Sequence, residues 1–459
     1  MQTNEAAAPP APPRRRRRVA LHWQILIGLV IGAGLGLAAN ALWPPGTEGH
    51  KQVAWTATNI ARPIGQVFLN LIFMVVVPLV FTALVLGVAE LGDVRRLGRV
   101  GLTTLAFTVV LSAVSVAIGI ALVNNIRPGQ GLADEQRELL RERYKAETAK
   151  HLGQMQEAKS ARETLLDIVP RNLLRELVGA ADASSPGGGM LSVMFFALLF
   201  GIALTIARER AGPVIAFFQG VYDAVMVIIG WAMRLAPLGV AGLMFALTAD
   251  LGLDVLRILG WFMATVLAGL ALHFFGVYGL VLALIVRVNP LRFFGRISEA
   301  ILTAFATSAS TATLPTALRV SQERAGIHRD VSNFVLTVGA TANQNGTALY
   351  EGVTVLFLAQ VYGADLSTLQ QVTVALMAVL GGIGTAGVPG GSLPFVALIL
   401  QYVGVPAEFL ALIIGPDRLL DMCRTTLNVT GDITIAACVD RLERRTRAAP
   451  AAATAVRTG

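Results

Sequence analysis

Charge is scarce in this sequence. Only 14% of its 459 residues are Asp, Glu, Lys or Arg, and 54% are hydrophobic; a soluble protein carries about a quarter charged residues. Cysteine is nearly absent as well, with Cys423 and Cys438 the only two. Both fall on one helical stretch, about 22 Å apart at helical rise, so they cannot pair within the chain. The five His, at positions 22, 50, 151, 273 and 328, are scattered. They form no metal-ligand spacing and no nucleophile–base pair, which argues against an enzyme. Long stretches of alternating hydrophobicity are missing too, which argues against a transmembrane β-barrel.

What the sequence has instead is long apolar runs. Residues 23–42, 66–86, 102–123, 190–206, 221–247, 256–286 and 331–360 each approach or exceed the roughly 20 residues a spanning helix needs. The fold class is an all-α polytopic membrane protein. A net charge of +8 invites a nucleic-acid reading, but its placement argues otherwise. Arg14 to Arg18 stand before the first run. Arg95, Arg96 and Arg99 follow the second, Arg208 and Arg210 the fourth, Arg292 and Arg296 the sixth, and "DRLERRTR" closes the last. The connections at 250–254 and 362–371 are acidic or neutral. This is the positive-inside pattern of a multi-pass protein of the inner (plasma) membrane, both termini cytoplasmic, with no nucleic acid as partner. The first run is long and ends in "LWPPG" without a small-residue cleavage site, so it reads as a span and not as a signal peptide.

The Pro-, Ala- and Arg-rich tail 1–18 is expected to be disordered. Residues 127–188 form one large extracytoplasmic insert. Its charged stretch 134–166 has helix-forming composition and reads as a solvated extension; "SSPGGG" at 184–189 reads as a hinge. From Pro290 onward the apolar segments are interrupted. "ATSASTATLP" (306–315) and "GGIGTAGVPGGSLP" (381–394) each sit between apolar arms too short to span. They fit re-entrant helical hairpins. Each is followed by a long segment expected to hold a break, "NQNGT" (343–347) after the first and "NVTGD" (428–432) after the second. The intervening spans bring the two hairpins in from opposite sides, so the repeat is inverted. Inverted repeats with discontinuous helices are how an alternating-access transporter builds a site near the midplane. Unwound carbonyls there hold cations, and half-helix N-termini hold anions.

The last apolar segment carries the clearest chemistry. Asp421, Thr425, Asn428 and Asp432 follow at steps of four, three and four, on one helical face, and Arg424 is three residues from Asp421. Such a stripe is costly against lipid and must face the protein interior or a water-filled path. An Arg there is a natural bidentate partner for a carboxylate.

"TSASTATLP", "GTALY", "GTAGVPG" and "LDMCRTTLNVTGD", in this order, resemble the dicarboxylate/amino acid:cation symporter family, the glutamate transporter homologues. The resemblance covers roughly 97–126 and 190–440, and the first two spans by position. It implies eight transmembrane helices plus two re-entrant hairpins, assembled as a homotrimer. It implies a static scaffold domain (19–96 and 189–249) and a transport domain (97–126 and 250–440) that moves across the membrane as a unit, with 441–459 a cytoplasmic tail. It further implies that Arg424 binds the substrate side-chain carboxylate and Asp421 its ammonium. Thr425, Asn428 and Thr347 line the pocket, and hairpin backbone near Ser310 and Val388 closes over it. One sodium site is implied at Asp432 with Gly339, Asn343 and Asn428. A second is implied at Gly382, Ile383 and Thr385 with Thr341. Na⁺ is the implied coupling ion, with H⁺ as the alternative.

The sequence departs from the family pattern in places. The seventh-span motif, Asn-Met-Asp-Gly-Thr in the family, has Gln344 and Asn345 here. Some members carry an Arg in the first hairpin tip or beside the last-span aspartate; Ser308 and Met422 stand there, so Asp421 is expected to lack that partner. A third sodium site, implied from the seventh-span aspartate and third-span hydroxyls, maps to Asn345, Thr108, Leu111 and Ser112. Two losses converge on it, and the site is expected to be absent or very weak. The substrate expected is an acidic amino acid, glutamate or aspartate. A C4-dicarboxylate is the alternative, disfavoured because it has no ammonium to offset Asp421. From another class, a receptor or channel on the same fold remains open.

Overall fold

The computed structural model describes residues 21–44, 47–91, 99–131, 169, 172–182, 190–384 and 391–457. The arginine cluster 14–18, the charged stretch 134–166, the linker 184–189, and Thr385 and Val388 lie outside the described residues. Among the described residues there is no strand. Among the described residues, five helices are long and apolar enough to cross a membrane: Trp23–Leu42, Glu48–Leu86, Arg99–Gly131, Gly212–Leu251 and Leu253–Val286.

One group of helices packs around α8 (Gly212–Leu251). Helix α1 (Leu21–Leu42) places Gly28, Gly32 and Gly36 on one face at four-residue spacing. A Cβ at any of them would strike α8, at Pro237, Ala241, and Phe245 with Thr248 respectively. The two backbones therefore meet directly, the packing that small residues allow inside a membrane. Thr248 Oγ1 donates to the Ala33 carbonyl at 3.2 Å across this seam. Helices α2 (Glu48–Thr56) and α3 (Arg62–Phe73) follow, and α3 packs on α8 through Phe68 and Gly239. Helix α4 (Val76–Leu91) continues after a turn at Met74 and Val75, and packs on α7 (Met190–Ala207) through Phe81, Phe196 and Phe200.

The second group surrounds a central helix. Helix α5 (Arg99–Ile126) belongs to it, whereas the short helix α6 (Leu173–Asp182), near the end of the insert, packs on α7 of the first group. Helix α9 (Leu253–Ala271) continues to Val286 through wider turns that contain His273 and Tyr278. Helices α10 (Pro290–Arg296), α11 (Ser298–Thr307) and α12 (Ser310–Glu323) follow. Helix α11 ends where Ser308 takes a left-handed conformation, φ +51°. The Ala309 N–H bonds to Thr307 Oγ1 at 3.3 Å, and the Thr307 and Thr313 hydroxyls share a bond of 3.0 Å. These hydroxyls satisfy backbone groups that two helix ends would leave open, and α12 folds back on α11. Helices α13 (Arg329–Ala342) and α14 (Asn345–Tyr362) are separated by Asn343 and Gln344 in non-helical conformations. Every residue of α14 except Gln360 is buried, as befits a helix apolar all round. Helices α15 (Thr368–Gly384) and α16 (Leu393–Tyr402) pack on α14. Helix α17 (Leu410–Arg457) closes the chain.

The break expected at 428–432 is not there: α17 runs without interruption through Asn428, Gly431 and Asp432. The glycine has a packing reason instead. A Cβ on Gly431 would collide with the Tyr278 hydroxyl of the α9 extension, which donates to the Leu427 carbonyl at 3.3 Å. Gly431→Ala is therefore expected to push Tyr278 off α17 and lower stability by about 1–3 kcal/mol, as overpacking does. Thermal unfolding in detergent checks this; an unchanged midpoint would show that Tyr278 moves aside freely.

Candidate substrate and cation site

The polar side chains that the sequence places inside apolar helices converge where α17 meets the α13–α14 break and the start of α16. Arg424 is 1% exposed. Its Nη1 donates to Ser392 Oγ of the turn before α16 at 2.9 Å. Its Nη2 donates to Asp417 Oδ1 at 3.0 Å and Asp421 Oδ1 at 2.9 Å. The guanidinium lies over the Tyr350 ring of α14, 3.9 Å from the centroid, a cation–π contact strengthened by desolvation. Its Nε is buried without a hydrogen-bond partner. A fixed positive charge is thus held between three helices with a donor to spare.

Asp421 does not lack a second partner. Arg418, one turn earlier on α17, brings Nη1 to 3.3 Å from Asp421 Oδ2. With Ser308 and Met422 at the two positions considered, the partner comes from Arg418, because i−3 on the same helix reaches the same carboxylate.

One turn further along, Asn428 binds the break. Its Oδ1 accepts from the Gly346 N–H at 2.7 Å, and its Nδ2 donates to Gln344 Oε1 and, at 3.3 Å, to Thr347 Oγ1. Thr425 is buried nearby on the same helix. The break is pinned from the other side too, since the Gln344 N–H donates to the Gly382 carbonyl at 3.2 Å. Ile383 packs with Val338 and Ala342 beside it. Ser310 is buried at the start of α12 with a hydroxyl that bonds nothing. The backbone of Thr341 falls in the last turn of α13; Thr385 and Val388 are beyond what is described.

Asp432 is 3% exposed and accepts from Asn343 Nδ2 at 2.7 Å through Oδ1. Gly339 lies so close that a Cβ there would strike the same carboxylate oxygen. Asn343 Oδ1 is buried without a donor. A carboxylate beside an orphaned amide oxygen, at a helix break, is a donor set that suits a hard cation. The implied third site differs. Asn345 Oδ1 already accepts from Ser112 Oγ at 2.6 Å, and Asn345 Nδ2 donates to the Tyr278 hydroxyl at 2.9 Å. Ser115 Oγ donates to the Asn345 carbonyl at 2.7 Å. Leu111, next to Ser112 on α5, is buried and offers hydrocarbon. These residues complete one another's hydrogen bonds and do not fit a cation.

Four residues of the site are not among those the sequence pattern singles out. Asp417 and Arg418 lie one turn before Asp421, within reach of the same spacing rule carried back along the helix. Tyr350 and Glu351 lie on α14; Glu351 is fully buried, its carboxylate against Gly381 of α15. A single carboxylate in the run "TALYEGVTVLFLAQ" is its signal.

Long apolar helices folded around buried, paired charge and a broken helix define a membrane carrier of polar solutes. The sequence model of the sodium:dicarboxylate symporter family matches residues 21–442. The chain belongs to that family. It is 34% identical to a proton/sodium-glutamate symport protein of Bacillus subtilis, over 93% of each chain. It is 32% identical to a proton/glutamate-aspartate symporter of Escherichia coli, over 90% of this chain and 91% of the other. It is also 32% identical to excitatory amino acid transporter 3 of Mus musculus, over 92% of this chain and 86% of the other.

Proposed function

We propose that the protein is a symporter that couples inward movement of Na⁺ or H⁺ to uptake of an acidic amino acid, glutamate or aspartate. The observation that carries this is the buried Arg424 fork, held beside Asp421 on one face of α17. Arg424 supplies a planar, permanently charged partner for the substrate side-chain carboxylate. Asp421 supplies an anion for its ammonium. Asn428, Thr425 and Thr347 accommodate the α-carboxylate, with Ser310 and the segment around Val388 closing over the ligand. Asp432 with Asn343, Gly339 and Asn428 holds one cation, and backbone at Gly382, Ile383 and Thr385 with Thr341 holds a second. The relatives' names support amino acid and cation alike.

The movement is of the elevator type. Residues 19–96 and 189–249 form a scaffold, 97–126 and 250–440 a transport domain, and the protomers assemble as a trimer with both termini cytoplasmic. Packing of α1, α3 and α8 as one group, and of α5, α14 and α15 as another, supports this division. In this reading α11 with α12, and α15 with α16, are the two re-entrant hairpins among eight spans.

A C4-dicarboxylate is the second reading, favoured by the two guanidinium groups at Asp421. Competition separates the two. Labelled aspartate uptake into liposomes is measured against unlabelled glutamate, aspartate, succinate and malate, in the wild type and in Asp421→Asn. A hydrogen bond to a charged group contributes about 1.5–3 kcal/mol, so the variant is expected to weaken amino acids by about 10- to 100-fold and succinate much less. Equal losses for both classes would assign Asp421 a structural role, since breaking a buried pair destabilises in itself.

A further inference from the structure

Arg418, like Asp417, is a charged residue of this cluster that substrate and cation binding leave without a task. It is 6% exposed, and its Nε is buried without a partner. Its contact with Asp421 Oδ2, at 3.3 Å, is the longest of the cluster's ion pairs; those of Arg424 are 2.9 and 3.0 Å. Asp421 is therefore divided between two guanidinium groups, one on each oxygen. The cluster runs Asp417, Arg424, Asp421, Arg418 with alternating sign and no net charge.

That arrangement treats the two ligand classes differently. The ammonium of an amino acid approaches a carboxylate already neutralised on both oxygens, and must displace a guanidinium to reach it. The weaker of the two contacts is the one to Arg418. A dicarboxylate meets the opposite situation. Its repulsion from Asp421 is offset in advance by Arg418. Paired with Arg424 alone, Asp421 would select more strongly for an ammonium; Arg418 dilutes that selection.

We propose that Arg418 is a specificity-determining residue that acts through Asp421, competing with the substrate ammonium and narrowing the preference for amino acids over dicarboxylates. The inference rests on the reading that Asp421 receives the ammonium. Specificity is a difference of two affinities, so the readout is a ratio: the inhibition constant of succinate over the KM of labelled aspartate, measured in liposomes. Arg418→Gln and Arg418→Met remove the charge at similar volume, and Arg418→Lys keeps it.

The Gln and Met variants are expected to bind aspartate more tightly and succinate less tightly. The ratio should rise by about tenfold or more, the equivalent of about 1.4 kcal/mol. Arg418→Lys should stay near the wild-type ratio, and in an Asp421→Asn background Arg418→Gln should leave the ratio unmoved. A ratio that stays constant or falls overturns the proposal, as does a parallel loss of both ligands or a wild type that succinate does not inhibit. Failure of the Gln and Met variants to fold while Arg418→Lys folds also overturns it, because Arg418 would then be structural. Asp421→Asn alone tells the two levels apart. If it weakens amino acids selectively and the Arg418 ratio does not move, only this inference fails. If it shows no such selectivity, the reading beneath it fails.

Discussion

Arg424→Cys is expected to abolish uptake of glutamate and aspartate and to admit small neutral amino acids such as serine. The side chain makes three hydrogen bonds, to Ser392, Asp417 and Asp421, and covers the Tyr350 ring. Truncating one partner of a buried, hydrogen-bonded charge pair costs about 2–5 kcal/mol of binding, equivalent to about one and a half to three and a half orders of magnitude in affinity. A cysteine leaves room for a short side chain and no charge to match a carboxylate. The gain of neutral-substrate uptake separates loss of recognition from loss of fold. Retained affinity for acidic substrates in a folded variant would contradict the assignment of Arg424.

The second large effect concerns ion coupling. Asn345 stands where the family resemblance implies an aspartate, and its amide is satisfied by Ser112 and Tyr278. A neutral amide in that network leaves no charge for a cation to balance, and Leu111 offers no oxygen. A carboxylate at about 4 Å would attract a monovalent cation by about 4 kcal/mol at an effective dielectric of about 20. The wild type is therefore expected to move fewer cations per substrate than the full family pattern implies. The Asn345→Asp/Leu111→Thr double variant is expected to restore one. Reversal potentials in liposomes give the stoichiometry directly. A full-pattern value in the wild type, unchanged in the variant, would show that Asn345 and Ser112 coordinate sodium after all.

Much of the site is legible in the sequence because the chemistry is incongruous where it stands. Asp421, Arg424, Asn428 and Asp432 are conspicuous in hydrocarbon, and helical spacing alone puts them on one face. The break at Asn343 and Gln344 is visible for the same reason. The break expected around Gly431 marks the limit of such reasoning. A glycine among polar residues looks like unwinding, but its cause is Tyr278, which bonds Leu427 from 149 residues away. Glycines at 28, 32 and 36 carry the same ambiguity, since only α8 against them turns a periodic pattern into a packing surface. Tyr350 beneath Arg424 belongs to a different helix, and nothing local marks it. Arg418 differs from these, because the spacing rule reaches it once the polar stripe is extended one turn toward the start of α17.

The most direct test is uptake by the purified protein in sealed liposomes, with labelled aspartate outside and an inward Na⁺ gradient imposed, or an H⁺ gradient in a parallel set. Accumulation above the external concentration, abolished when the gradient is dissipated and competed by glutamate far better than by succinate, is the result expected. Aspartate that equilibrates without regard to either gradient, or uptake that succinate blocks better than glutamate does, would contradict a cation-coupled acidic amino acid symporter.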